Sequence, residues 1–134
     1  FPFSDIRFFD ATYKGRAANF AVNVAIGYSN GVQIELVEPL DGCEGEYKDF
    51  IARTGGGLHH VGRLSHNFEA DCALMQQQGF NVIQSGAIGD ERAIRFAYFD
   101  TTLELGVVTE LITISPSMVR VYERLKKRAE VRRA

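Results

Sequence analysis

The amino-acid sequence predicts an α+β fold built on a strand–helix–strand–strand–strand module (βαβββ), present once in full and once without its opening strand and helix. Three observations lead there. The chain has 134 residues, which suits one compact domain of about 100–200 residues rather than two. Hydrophobic residues make up 46% and charged residues 24%, the balance of a packed globular chain and not of a disordered or fibrous one. Finally, two stretches repeat. Ala21-Val22-Asn23-Val24-Ala25-Ile26 aligns with Ala93-Ile94-Arg95-Phe96-Ala97-Tyr98 at an offset of 72, and Val32-Gln33-Ile34-Glu35-Leu36-Val37 aligns with Val107-Val108-Thr109-Glu110-Leu111-Ile112 at an offset of 75.

Taken in order, strands are expected near Asp5–Phe9, Phe20–Tyr28 and Val32–Glu38. The last two flank Ser29-Asn30-Gly31, and Asn-Gly between apolar runs is a strong hairpin signal. From Glu46 to Arg53, Tyr47, Phe50 and Ile51 fall at helical spacing, and Gly55-Gly56-Gly57 stops the helix. Leu58–Leu64 reads as a strand and Asn67–Gln78 as a helix closed by Gly79, followed by strands at Asn81–Gln84, Arg92–Phe99 and Leu105–Ile114. After Pro116, Met118–Arg133 puts Met118, Tyr122, Leu125 and Ala129 on one stripe of a basic helix. The organisation is a single domain: an incomplete first module over 1–40, a linker helix in 41–56, the complete module over 57–114 and a carboxy-terminal helix in 115–134.

At an offset of 72 the first-module counterpart of His60 falls at residue −12 (60 − 72), so that module lacks its first strand and helix. The first residue is Phe rather than Met, and roughly 25–35 residues of a parent chain are expected before it, from ordinary element lengths. A natural short chain that takes these elements from a partner subunit is the alternative. Either way an unpaired sheet edge and an uncovered apolar face predict a homodimer.

A net charge of −2 argues against nucleic acid as the partner. The longest apolar runs, such as Phe20–Ile26, fall far short of the roughly 20 residues of a membrane helix, and the amino end carries no secretion signal, so no membrane association is expected. Cys43 and Cys72 form no metal or redox motif. They read as free thiols in a reducing cytoplasm. The basic carboxy-terminal helix reads as a solvated face.

Two carboxylates interrupt apolar strands at equivalent places in the repeat, Glu35 between Ile34 and Leu36, and Glu110 beside Leu111-Ile112. An unpaired carboxylate in a core strand takes up a proton or needs a cation. Two of them converging near a pseudo-twofold need a positive charge between them, which a divalent metal supplies. His59-His60 opens the strand of the complete module. Neighbours in a strand face opposite ways, so one of the two is expected at the site.

These pieces carry a resemblance. Val32-Gln-Ile-Glu-Leu-Val-Glu-Pro-Leu, Gly57-Leu-His-His-Val-Gly, Ala97-Tyr-Phe-Asp and Gly106-Val-Val-Thr-Glu-Leu-Ile resemble the vicinal-oxygen-chelate superfamily of glyoxalases, bleomycin-resistance proteins and extradiol dioxygenases, most of all its methylmalonyl-CoA-epimerase-like branch. The resemblance implies paired βαβββ modules forming an open, U-shaped mixed sheet around a metal. It places metal ligands at Glu35, His60 and Glu110, with the family's fourth ligand, a His, on the strand that is missing here. Such nitrogen and oxygen donors suit zinc, nickel, cobalt or manganese, and three ligands alone bind more weakly and leave the site open. Arg63 and Ser65-His66-Asn67 depart from the family pattern, which affects packing and capping.

Side-chain parity suggests a small-residue pocket wall from Ala21, Asn23, Ala25 and Gly27, matched by Ala93, Arg95, Ala97 and Phe99. Asn23 and Arg95 are thereby candidate substrate contacts, Arg95 for an anionic group, and Gln33 is a third, on Glu35's face. His59 and His66 are expected to be structural or to face solvent. The leading functional expectation is a metal-dependent isomerase or lyase of the glyoxalase/epimerase type. It would act on a small substrate with vicinal oxygens through an enolate-like intermediate, with Glu110 or Glu35 as the base. The alternatives are a metal-free, drug-sequestering binding protein and, last, an extradiol dioxygenase, whose iron site needs the missing His and leaves Glu35 without a role.

Overall fold

The computed structural model describes residues 1–131, so Arg132 and Arg133 of the expected last helix lie outside the described residues. Among the described residues nine strands and four α-helices follow one another as β1 (Pro2–Arg7), β2 (Phe9–Tyr13), β3 (Arg16–Ala17), β4 (Ala21–Ser29), β5 (Val32–Pro39), α1 (Glu46–Thr54), β6 (His60–Leu64), α2 (Phe68–Gln77), β7 (Val82–Ile88), β8 (Ile94–Phe99), α3 (Thr102–Leu105), β9 (Val108–Ile114) and α4 (Pro116–Val131). They form two open sheets, in the orders β1-β4-β5 and β3-β2-β7-β8-β9-β6. β6 and β9 run parallel, as the α2 crossover between β6 and the later strands requires, and the remaining pairs are antiparallel.

The repeat holds residue by residue. Ile26 pairs with Glu35 as Tyr98 pairs with Glu110, Val24 with Val37 as Phe96 with Ile112, and Val22 with Pro39 as Ile94 with Ile114. β1, β4 and β5 therefore stand to one sheet as β7, β8 and β9 stand to the other. Among the described residues no strand pairs with the outer edge of β5, the place that β6 occupies beside β9. At the tip of the β4–β5 hairpin Asn30 (φ 50°) and Gly31 (φ 81°) both adopt left-handed backbone, as a two-residue turn of this type needs.

Three segments differ from the sequence expectation, one of them β7, which continues to Ile88 rather than ending at Gln84. The expected first strand, Asp5–Phe9, is really two strands in different sheets, because the chain crosses over at Phe8. The Phe8 ring fills the crossing, 4.5 Å from Phe20 and 5.4 Å from Phe96 between centroids. β2 then runs along β7 and folds back into β3. The signal was weak because Asp10 interrupts the alternation at a register break, with φ 51°. In the last strand, Thr102–Leu105 coils first, since the Asp100 carboxylate accepts hydrogen bonds from the Thr102 N–H (3.2 Å) and hydroxyl (2.6 Å). Gly106 then turns the chain at φ 74° and β9 begins at Val108.

The core lies between the inner faces of the two sheets, where Phe20, Val22, Val24 and Ile26 meet Phe96, Tyr98, Val108 and Tyr47. On the outer face of the second sheet, Phe68, Cys72 and Met75 of α2 cover Ala97, Phe99 and Leu111. The start of α1 is tied to the core by a buried side chain: the Glu46 N–H donates to Gln84 Oε1 at 2.9 Å. Gly45 makes that possible, since a Cβ there would lie 2.7 Å from the same oxygen. This tie sets Glu46 and Tyr47 beside the histidines of β6.

Candidate functional site

Three strands bring their polar residues to one point. His60 opens β6, Glu110 lies in the middle of β9 and Glu35 in the middle of β5. The His60 Nε2 is 3.4 Å from Glu35 Oε2 and 3.8 Å from Glu110 Oε2. The register explains the convergence, because Glu35 and Glu110 occupy equivalent inner-face positions of the two sheets. Gly62, opposite Glu110 in β6, clears the space: a Cβ on Gly62 would sit 2.8 Å from Glu110 Oε2. Its signal was available, since glycine inside a strand marks a close approach.

The surroundings of the two acids are unlike. Glu110 is buried, and its pKa is pushed up to about 7 by that burial, with His60 opposing the rise and the Glu35 charge adding to it. Glu35 keeps 31% of its side chain exposed, so the expectation that both carboxylates sit within core strands holds for Glu110 only. The reason is the open edge of β5. Burial opposes the charged form of His60, but a hydrogen bond to Glu35 and the two carboxylate charges outweigh it and raise its pKa.

His59 does not turn away. It precedes β6, where strand parity does not apply, and its ring lies against His60 with Nδ1 to Nδ1 at 3.0 Å. Tyr98 stands next to Glu110 in the register, 5.0 Å from the His60 ring, and its hydroxyl shares a 2.8 Å hydrogen bond with that of Tyr47. Tyr122 of α4 packs against the same core, and burial pushes its pKa up to about 12, with smaller contributions from Glu35, Tyr28 and Glu110. The sequence expectations place none of these tyrosines at the site, although the offset of 72 pairs Tyr98 with Ile26 and so marks where the two modules differ.

The structure does not bring Asn23 and Arg95 to this point. Both lie on the outer faces: Asn23 pairs with Glu38, its amide donating to Glu38 Oε2 at 2.9 Å, while Arg95 donates to Glu69 at 2.6 Å and stacks on Phe68 of α2. The small-residue face expected to line a pocket is the outer one, and on the second sheet it is the face on which α2 docks, where small residues admit a helix. Gln33 is on the inner face and accepts a hydrogen bond from the Tyr28 hydroxyl at 2.9 Å.

A family model described as the Glyoxalase/Bleomycin resistance protein/Dioxygenase superfamily matches residues 4–99. The chain belongs to that superfamily. No match to a curated protein accompanies it. The matched stretch of this glyoxalase-superfamily chain takes in Glu35 and His60 and ends before Glu110, which reaches the site through its pairing with Tyr98.

One imidazole nitrogen and two carboxylates are donors of the kind a divalent metal takes in such a protein. Bonds of about 2.1 Å place tetrahedral donors roughly 3.4 Å apart, which the Glu35–His60 edge matches and the His60–Glu110 edge exceeds. Among the described residues no group of three or more His, Cys, Asp and Glu side chains is closed enough to hold an ion as it stands. The donors therefore fit in kind, while the spacing among the described residues does not form a closed set.

Proposed function

We propose that this chain is an isomerase or lyase of the glyoxalase/epimerase type, moving a proton at a carbon beside a carbonyl on a small substrate with vicinal oxygens. One observation supports this most. Glu110, buried and facing His60 and Glu35, has a pKa of about 7. A carboxyl group poised near neutral pH both takes and returns a proton efficiently. Burial keeps water from competing, and Gly62 leaves the carboxylate free to reach in and back.

Glu35, His60 and Glu110 would hold a divalent metal such as zinc, nickel, cobalt or manganese. When bound, the metal supplies polarisation of the substrate's oxygens and so acidifies the neighbouring C–H. Without it, His60 carries a proton between the two carboxylates, as its raised pKa favours. Glu35, on the exposed side, meets an entering substrate first and is the second candidate for the proton step. Gln33 extends that inner face.

Calorimetric titration with each of the four metals tests the site. Wild type is expected to bind at least one, with His60→Ala and Glu110→Ala losing most of the affinity. Exchange of substrate C–H hydrogen with deuterated solvent, abolished by Glu110→Gln, tests the reaction. If wild type binds none of the metals and exchanges no hydrogen, a metal-free binding protein replaces this reading.

A further inference from the structure

His60 and Glu110 each keep only 11% of their side chains exposed, so a substrate reaches them only after something around them moves. The strands are held in their ladders. α1 is pinned by the buried Gln84 and by the Tyr13 hydroxyl, which donates to Asp49, and α2 lies on the outer face of the second sheet, away from the site. α4 is the element left to move.

The start of α4 is fixed at the end of the second sheet, where the Ser115 N–H donates to the Ala93 carbonyl oxygen at 2.7 Å. About 16 Å further on, at about 1.5 Å per residue, Lys126 Nζ lies 4.0 Å from where a Cβ on Gly31 would stand, at the tip of the β4–β5 hairpin. The helix thus crosses from one sheet to the other. Between these ends Tyr122 packs against the cluster that contains Ile26, Tyr98 and Val108. Ile26 pairs with Glu35 and Tyr98 with Glu110, while Val108 stands two residues before Glu110 on the same face of β9. Tyr122 therefore closes over both acids, and both charges reach its phenol.

This closure is held lightly. None of the described residues of α4 is fully buried, and Met118, Tyr122, Leu125 and Ala129 are half-buried. The Tyr28 hydroxyl lies 3.4 Å from the Tyr122 carbonyl oxygen but 2.9 Å from Gln33 Oε1, and the shorter contact takes the hydrogen. On the exposed side Arg120, Arg124 and Arg128 are four residues apart, a spacing at which like charges repel. A cleft of about 330 Å³ already separates the last turns of α4 from the hairpin, with Tyr28 and Gly31 on one wall and Lys126 and Ala129 on the other. Elements that bury little apolar surface open locally at less cost than the core does.

We propose that α4 is a lid on the site: it lifts from the β4–β5 hairpin about its anchored start at Ser115 to admit a substrate, and Tyr122 is the side chain that closes over that substrate and keeps water from Glu110. The inference deepens the function proposed above and rests on it for the substrate, whereas the opening of α4 is independent of the reaction.

Native-state hydrogen exchange on the full chain in low urea tests the opening. The amides of residues 122–125 are expected to be protected about tenfold less, or lower still, than those of residues 110–112, with little dependence on urea because a local opening exposes little surface. Equal protection and equal urea dependence in the two segments, the mark of unfolding as one unit, overturns the proposal. Fraying of α4 alone would leave Glu110 covered, so a second readout follows Glu110 itself. Labelling of carboxyl groups with a water-soluble carbodiimide and glycinamide, located by peptide mass spectrometry, uses the more exposed Glu35 as internal reference. The ratio of Glu110 to Glu35 labelling is expected to rise severalfold in Tyr122→Ala and to stay near wild type in Tyr122→Phe, which keeps the ring. An unchanged ratio in Tyr122→Ala overturns the proposal, as does an equal rise in Leu111→Ala, which weakens the fold from the opposite face of the sheet. Low protection in α4 together with no exchange of substrate hydrogen upholds the lid and overturns the reaction proposed above.

Discussion

Glu110 is a buried carboxyl, and its stability effect has a definite sign. Its folded pKa of about 7 lies above the ordinary 4.5, so the folded chain holds a proton that the unfolded chain releases. That contribution is complete below about pH 4.5 and is lost as pH rises through 7, on the order of 3 kcal/mol at about 1.4 kcal/mol per pKa unit. Urea unfolding at a series of pH values should show stability falling over this window. Glu110→Gln should remove most of the fall, leaving the loss from His60, whose raised pKa works in the same direction as pH rises above its ordinary 6.5. Gly62→Ala makes a separate prediction: the new methyl would meet Glu110 Oε2 at 2.8 Å, so a cost of about 1–3 kcal/mol is expected, with a loss of metal affinity measured by calorimetry. The two glutamates stand out because the repeat sets them at equivalent places in apolar strands, whereas the choice of His60 over His59 comes from the family resemblance and not from the repeat. His59 is structural, packed among Tyr47, Phe50 and Tyr98, and lies beside His60 rather than facing away because parity holds only within a strand and His59 lies one residue before β6 begins.

At the scale of elements, the equivalent strands allow a controlled comparison. Leu36 of β5 and Leu111 of β9 occupy the same place in the repeat, yet Leu36 is 66% exposed while Leu111, under α2, is fully buried. Leu111→Ala should cost about 2–5 kcal/mol, and Leu36→Ala should change stability by no more than about 0.5 kcal/mol, as read from denaturant midpoints. The strands β4, β5 and β8 and the helices α1 and α2 were readable from alternation, the Asn30-Gly31 turn and the glycine stops. The β2–β3 hairpin was not, because a register break at Asp10 and a switch of sheets at Phe8 leave no regular alternation to read. Arg95 and Asn23 were misplaced for a related reason: small neighbours signal close packing, and α2 supplies it for Arg95.

At the scale of the molecule, Val32 and Ile34 join Leu36 on the outer face of β5, at 64% and 48% exposure, beside an edge that no described strand pairs. Apolar groups on an unpaired edge drive association. Sedimentation should show the mass of this chain rising with concentration towards a dimer, and Ile34→Lys with Leu36→Lys should keep it monomeric. A wild type that stays monomeric at every concentration would sink that expectation. The pairing of Ile26 with Glu35 and of Tyr98 with Glu110 bears on history as well as on assembly. Two identical halves would have to change every position twice, whereas two halves joined in one chain can each be altered alone. Keeping the acid in both while placing a tyrosine beside only one is the kind of change that a gene duplication followed by fusion makes possible, and the two like carboxylates now differ, one held near neutrality by burial and the other within reach of solvent at the open edge of β5.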